Sequence, residues 1–310
     1  MTSQVILHVD GVSYAFGDNE VLKSVGLNLK KAQIAGLLGR NGSGKSTLLS
    51  ILSGNLPKQS GTITVAGHPL ETNKSDWKQE LGVIFQSPSL DQKLSARENL
   101  ELACILYAVP KSQSKEKIDW ALKVSQLENR QHDLVKTFSG GMKRRLDIAR
   151  ALLADPKLLL MDEPTTGLDE LAFRETWDVL NNLVAETGLS ILVATHRPEE
   201  AEKCHVVGVL SKGKLVKWDS PEALKQSVKE DTVIIGTIEG AEDKVASVLE
   251  DEFSVKVRKT RQTVTFESNS AHTLIPRVAE KFQKTEIISI QLRPSGMAEA
   301  FVALTGEVLL

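Results

Sequence analysis

Five short apolar runs punctuate the first two-thirds of the chain: IAGLL at 34–38, LGVIF at 81–85, LLLM at 158–161, ILVAT at 191–195 and VVGVL at 206–210. Each has the length of a strand and is apolar almost throughout, the mark of a strand covered on both faces. Helical stretches lie between several of them. Buried strands alternating with helices predict a mainly parallel sheet core with helices packed against it. The first thirty residues differ in texture. VILHV alternates apolar and polar side chains, and Gly17-Asp18 reads as a turn, so an antiparallel β edge joined to the parallel core is expected. Residues 95–137 hold ARENLELACILYAV and KEKIDWALKVSQL, which predict a helical insertion, or subdomain.

A charged helical connection over 220–230 leads into a second pattern. Strand TVIIGTI (232–238), helix EDKVASVLEDE, strands SVKVRK and QTVTFES, helix HTLIPRVAEKFQK and strand EIISIQL follow one another. That order, β-α-β-β-α-β, is the split βαβ unit of small ferredoxin-like α+β domains. A last helix, GMAEAFVALTG, closes the sequence. The expected fold class is therefore α/β with a small C-terminal α+β ferredoxin-like domain. The expected domains are 1–228 and 229–310, and 310 residues suit two domains better than one.

Composition excludes several functions. Lys plus Arg number 38 and Asp plus Glu 40, a formal net charge of −2, which argues against a nucleic-acid coat or a polybasic membrane binder. Aromatics make up 5%, too few for a platform that stacks single strands. Cys104 and Cys204 stand far apart, with no CxxC pair, so a structural zinc site is not expected. Isolated cysteines suit a reducing compartment, where they act as small hydrophobes. The N-terminal MTSQVILHVDGV does not read as a signal peptide, and no apolar run is long enough to span a bilayer. A soluble, cytoplasmic chain is expected.

GRNGSGKST at 39–47 fits the phosphate-binding pattern G-x-x-x-x-G-K-[ST] (P-loop, Walker A) with Gly39, Gly44, Lys45 and Ser46. The apolar strand IAGLL feeds it and the helix STLLSILSG leaves it, which is the context that motif needs. Glycines let backbone N–H groups turn inward as an anion nest, and the helix N-terminus adds partial positive charge. Asn41, Gly42, Ser43 and Thr47 complete the loop. Lys45 is placed to reach the β- and γ-phosphates, and Ser46 to offer its hydroxyl to Mg²⁺. The strand of LLLMDEP at 158–164 ends in two carboxylates. Asp162 is the expected Mg²⁺ partner, through water, and Glu163 the candidate general base for an attacking water. The pair favours hydrolysis over binding alone.

FSGGMKRRL at 138–146 then resembles the signature of ABC-type ATPases, usually written LSGGQ. The rest of that family's set follows over roughly residues 4–225: Gln86 in VIFQ, TTGLD at 165–169 and ATH at 194–196. Phe16, in YAFG, stands where the family places an aromatic that stacks on adenine, with Tyr14 as the alternative. The resemblance implies two nucleotide-binding domains that sandwich two ATP molecules head to tail. Ser139, Gly140 and Gly141 would face a γ-phosphate held by the partner chain. Gln86 would sense Mg²⁺ or water, Asp169 would link the two sites, and His196 would contact the γ-phosphate. Ser46, Gln86 and Asp162 are the implied surroundings of Mg²⁺. One phosphate loop and one signature per chain imply a homodimer, or a heterodimer with a related ATPase.

Three residues depart from the pattern. Met142 and Phe138 replace glutamine and leucine of the signature, and Arg40 stands inside the phosphate loop where proline is common. The cluster Lys143, Arg144 and Arg145 reads as a solvated helix face. His8, His68, His132, His205 and His272 read as structural or surface residues.

The single cassette and the absence of a heptad run favour transport over DNA repair or ribosome work. LRPSGMAEAFVALTGE at 292–307 is similar to the tail of ATPases of the multidrug and antibiotic-resistance exporter branch, PxxEDVFxxLTG, and SGGM is also common there. The resemblance implies export through separately encoded integral membrane permease subunits. The chain would then sit on the inner face of the membrane, and no nucleic acid is expected. The coupling surface is expected beside Gln86 and residues 87–137. A non-transport ABC ATPase acting on a ribosomal or nucleic-acid complex, and a nucleotide switch that barely hydrolyses, are the alternatives.

Overall fold

Alternating side chains fold the N-terminus of this computed structural model into a long hairpin, β1 (Val5–Phe16) and β2 (Asn19–Lys30), with Phe16 opposite Asn19 across the turn. The structure describes residues 4–71, 76–226, 231–268, 271–282, 286–293 and 295–309. β3 (Ile34–Leu38) follows and is buried at every position. α1 (Lys45–Leu52) leaves its far end. The chain then returns to the hairpin with β4 (Thr62–Val65) and β5 (His68–Pro69), giving an antiparallel sheet of order β2-β1-β4-β5. The antiparallel part is thus a sheet of its own.

After α2 (Asp76–Gln79) the chain enters the main sheet again as β6 (Leu81–Ile84). The helical insertion comes next, as α3 (Ala96–Leu106) and α4 (Lys111–Val124). Ser95 and Glu98 form a reciprocal capping box that starts α3. Leu100, Ala103, Cys104, Ile118 and Leu122 form a core with Phe138 and Leu146, so the insertion packs against α5 (Gly140–Leu152). β7 (Leu158–Asp162), α6 (Glu170–Thr187), β8 (Ser190–Thr195), the short α7 (Pro198–Ala201), β9 (Val206–Ser211) and β10 (Lys214–Asp219) complete the main sheet. Its order is β10-β9-β3-β8-β7-β6, parallel except for β10. Cys104 and Cys204 are both buried, and burial pushes both thiols up. His205 is structural, its Nδ1 accepting the Ile34 N–H at 3.0 Å.

The first compact unit runs to Pro221, and the second from Glu222 to Val308. The expected boundary at 228/229 lies outside the described residues. α8 (Pro221–Lys225) begins at the junction, and the second unit goes on with β11 (Asp231–Thr237), α9 (Glu242–Phe253), β12 (Val257–Thr260), β13 (Thr263–Ser268), α10 (Ala271–Lys281), β14 (Ile287–Arg293) and α11 (Met297–Thr305). Its sheet, β12-β13-β11-β14, is antiparallel at every pairing, the ferredoxin-like order. Val233, Ile235, Leu249, Phe266 and Val278 are central to its core. Among the described residues, no helix is long and apolar enough to cross a membrane.

Candidate active site

Four neighbouring strands, β3, β8, β7 and β6, run parallel, so their C-terminal ends lie side by side. The loop after β3 leads into Lys45 at the start of α1, the residue after β8 is His196, β7 ends in Asp162 with Glu163 next, and Gln86 lies two residues beyond β6. Sheet topology therefore gathers side chains that the sequence holds far apart.

The loop after β3 wraps around its own lysine. Lys45 is buried, and its Nζ donates to the carbonyls of Gly39 at 2.7 Å and Arg40 at 3.0 Å. Gly44 has φ 109°, and a Cβ there would lie 2.7 Å from Leu22; a Cβ on Gly39 would lie 2.4 Å from the Leu210 carbonyl. Both positions therefore require glycine. Asn41 and Gly42 are exposed, Thr47 is half-buried, and Ser43 is buried with no hydrogen-bond partner for its hydroxyl. A buried hydroxyl without a protein partner, in a loop that fits the phosphate-binding pattern, suits an anionic ligand. Burial lowers the Lys45 ammonium's affinity for its proton, and the charges of Glu163 and Asp162 oppose that.

Burial pushes the Asp162 carboxyl up; a hydrogen bond from Ser46 opposes it, Glu163 adds to it, and Lys45 opposes it. Asp162 Oδ1 is buried with no partner among the protein groups. Among the described residues, no three His, Cys, Asp or Glu side chains cluster as a self-sufficient metal cage. One orphaned carboxylate oxygen beside a hydroxyl suits an ion such as Mg²⁺, which fills its shell with phosphate oxygens and water.

Glu163 is the most heavily held residue of the site. Its backbone takes φ 45°, rare for a residue with a side chain, while its N–H donates to the Ala194 carbonyl at 2.9 Å. His196 Nδ1 lies 2.8 Å from Oε1. Gln86 Nε2 and the Thr166 hydroxyl donate to Oε2 at 3.2 and 3.1 Å. Thr166 went unread in the sequence because a threonine inside TTGLD carries no signal of its own. Asp169 caps α6, accepting the Ala172 N–H at 2.8 Å.

The signature opens α5. Ser139 is its N-cap, accepting the Met142 N–H at 3.2 Å, and Ser139 and Gly140 are exposed. Gly141 packs on α6, where a Cβ would come within 2.6 Å of Ala172. Ser139–Gly141 meet Met142 and Lys143 of their own helix, with Leu168 and Ala172 facing the two glycines. The structure thus brings Lys45, Ser46, Asp162, Glu163, Gln86 and His196 together and sets the signature with α6.

The reading of Lys143, Arg144 and Arg145 as a solvated face is corrected. Arg144 and Arg145 are buried. α5 is flanked by α3, α4, α6 and β6, so adjacent positions on it point into protein. Arg144 donates to the carbonyls of Phe85 and Gln86, and Arg145 pairs with Glu175. Each buried charge has found acceptors, without which its burial would be prohibitive. The two aromatics also separate. Tyr14 is buried, whereas Phe16, its ring centroid 4.9 Å away, is 52% exposed.

An anion cradle at the end of one strand and a carboxylate pair at the end of the next but one define the class of P-loop nucleoside triphosphatases. Comparison with known proteins narrows this. The family model described as ABC transporter matches residues 22–166. The linearmycin resistance ATP-binding protein LnrL of Bacillus subtilis is 31% identical over an alignment covering 98% of this chain and 99% of that protein. The Nod factor export ATP-binding protein I of a Rhizobium species (strain N33) is 40% identical over 72% of this chain and 73% of its own. Among solved structures, cbiO1 of Clostridium perfringens, part of the ABC transporter complex cbiONQ, superposes with a TM-score of 0.67 at 27% identity, covering 81% of this chain and 96% of that one. The chain belongs to the ATP-binding proteins of ABC transporters, and it is an ATPase.

Proposed function

We propose that this chain drives export of a hydrophobic or amphipathic compound through separately encoded membrane subunits, hydrolysing ATP at a site completed by a second ATPase chain. The carrying observation is Glu163, held by Gln86, His196 and Thr166 beside the phosphate cradle. In this reading the loop 39–47 binds the phosphates through N–H groups and Lys45. Ser46, Asp162 and Gln86 surround Mg²⁺, which when bound neutralises charge on the β- and γ-phosphates. Glu163 orients a water and takes its proton, and His196 shares in placing that water and the γ-phosphate. Ser139 and Gly140, exposed at a helix N-terminus, serve the ATP of the partner chain together with the buried Gly141 beside them, and Asp169 lies between the two sites. A homodimer supplies everything needed; a heterodimer with a related ATPase would do the same.

Support for a membrane partner comes from the surface beside Gln86. Phe85, adjacent to Gln86, is exposed, and so are Leu102, Ile105 and Leu106 on α3 and Tyr107 just past it, large apolar side chains that water does not favour. The names of the relatives support resistance or export as the direction of work. The C-terminal unit is assigned an accessory role. The experiment is a pull-down of tagged Glu163→Gln chain from native membranes, in mild detergent with ATP. Near-stoichiometric recovery of a polytopic membrane protein is expected. Ribosomal or DNA-associated proteins in its place would overturn the reading.

Phe16 is assigned to adenine because it is the exposed ring of the pair. Phe16→Ala is expected to weaken ATP binding by about 1 kcal/mol, roughly fivefold, measured by titration of the purified chain with a fluorescent ATP analogue. Unchanged affinity would reassign the base to another surface.

A further inference from the structure

Gln86 lies on a loop, yet its side chain reaches Glu163, so something must hold its backbone. The holder lies on α5. Arg144 Nη1 donates to the Phe85 carbonyl at 2.8 Å, and Nη2 donates to the Gln86 carbonyl at 2.7 Å. Arg144 is 3% exposed. Its charge is faced by Asp147, one turn along the same helix, at 3.8 Å. Asp147 also takes Arg150 at 2.9 Å, and Arg150 donates to the Tyr107 hydroxyl at the end of α3 at 2.8 Å. Two successive carbonyls held by one planar fork fix both the position and the orientation of a backbone segment. A lysine, a point charge on a flexible stem, has no such fork.

α5 carries the signature on its first turn and this clamp one turn later. A helix turn transmits displacement stiffly, because its backbone is hydrogen-bonded throughout. We infer that Arg144 is a positioning residue that couples the signature helix to the catalytic carboxylate: it holds the Gln86 loop so that a movement of Ser139–Gly141 is carried through Gln86 to Glu163. The inference rests on the proposed roles of Glu163 as base and of the signature as a phosphate-facing group. Its consequence is that the helix serving the partner's ATP also sets the geometry of the chain's own carboxylate.

Steady-state ATP turnover of the full-length chain tests this, with Arg144→Gln and Arg144→Lys made alone and in a Gln86→Ala background. Arg144→Gln is expected to lower kcat about tenfold with KM within about twofold, the signature of a group that acts in the transition state rather than in binding. Arg144→Lys is expected to fall between that variant and the wild type. Neither substitution should lower kcat further once Gln86 is alanine, because both act through the same side chain. Wild-type kcat in both single variants overturns the inference, and so do losses that multiply in the double variants. Should Arg144→Gln fail to fold, Arg144→Lys, which keeps the charge opposite Asp147, decides alone. Glu163→Gln, run alongside, separates the two readings. If it retains turnover, the role of Glu163 falls; if it is inactive while the Arg144 variants are unimpaired, only the role of Arg144 falls.

Discussion

Glu163→Gln is expected to lower ATP turnover by roughly a hundredfold or more, with ATP affinity preserved. The amide has the shape of the carboxylate and can still meet Gln86, Thr166 and His196. What it lacks is the capacity to take a proton from water. Loss of rate with retained binding is therefore loss of a chemical step rather than of the site. The carboxylate is well placed for that step, since its side chain is only 14% exposed and three groups fix its orientation. The check is single-turnover hydrolysis with nucleotide binding measured on the same preparation. A rate within about twofold of wild type would remove Glu163 from the chemistry.

Lys45→Ala should act earlier, on binding itself. The Nζ rests on the carbonyls of Gly39 and Arg40, beside the charges of Asp162 and Glu163. Removing it leaves two acidic groups facing an incoming polyphosphate with no side-chain cation between them. ATP affinity is expected to fall by about a hundredfold, the order seen when a charge-assisted contact is lost from a desolvated site. Turnover should fall below detection at ordinary ATP concentrations. Isothermal titration with ATP is the direct check, and unchanged affinity would refute the assignment of the loop.

Much of this architecture was written in local pattern. The runs IAGLL, LLLM and ILVAT became β3, β7 and β8 because buried parallel strands must be apolar on both faces. The phosphate loop was legible because its glycines answer to backbone geometry, a local constraint. The edge strands were not. β4 has four residues and β5 two, and β10 is largely half-buried or exposed, so their patterns are too brief or too polar to stand out. Arg144 was misread for a different reason. Its partners Phe85 and Gln86 lie 59 and 58 positions away, and no window along α5 shows that β6 and its loop lie against that helix. Tyr14 and Phe16 are both aromatic and two residues apart, so only exposure tells the ring that can meet a ligand from the one that fills the core.

The buried thiols have a practical corollary. Cys104 and Cys204 are the chain's two cysteines, each lies within packed protein, and burial disfavours the thiolate that would react with a maleimide or a spin-label reagent. The wild-type sequence is therefore a quiet background for attaching a probe. A cysteine placed at Ile105, 76% exposed, would be the one fast-reacting thiol of the folded chain. A dye or spin label there would report, in real time and without prior removal of native cysteines, when that surface is covered.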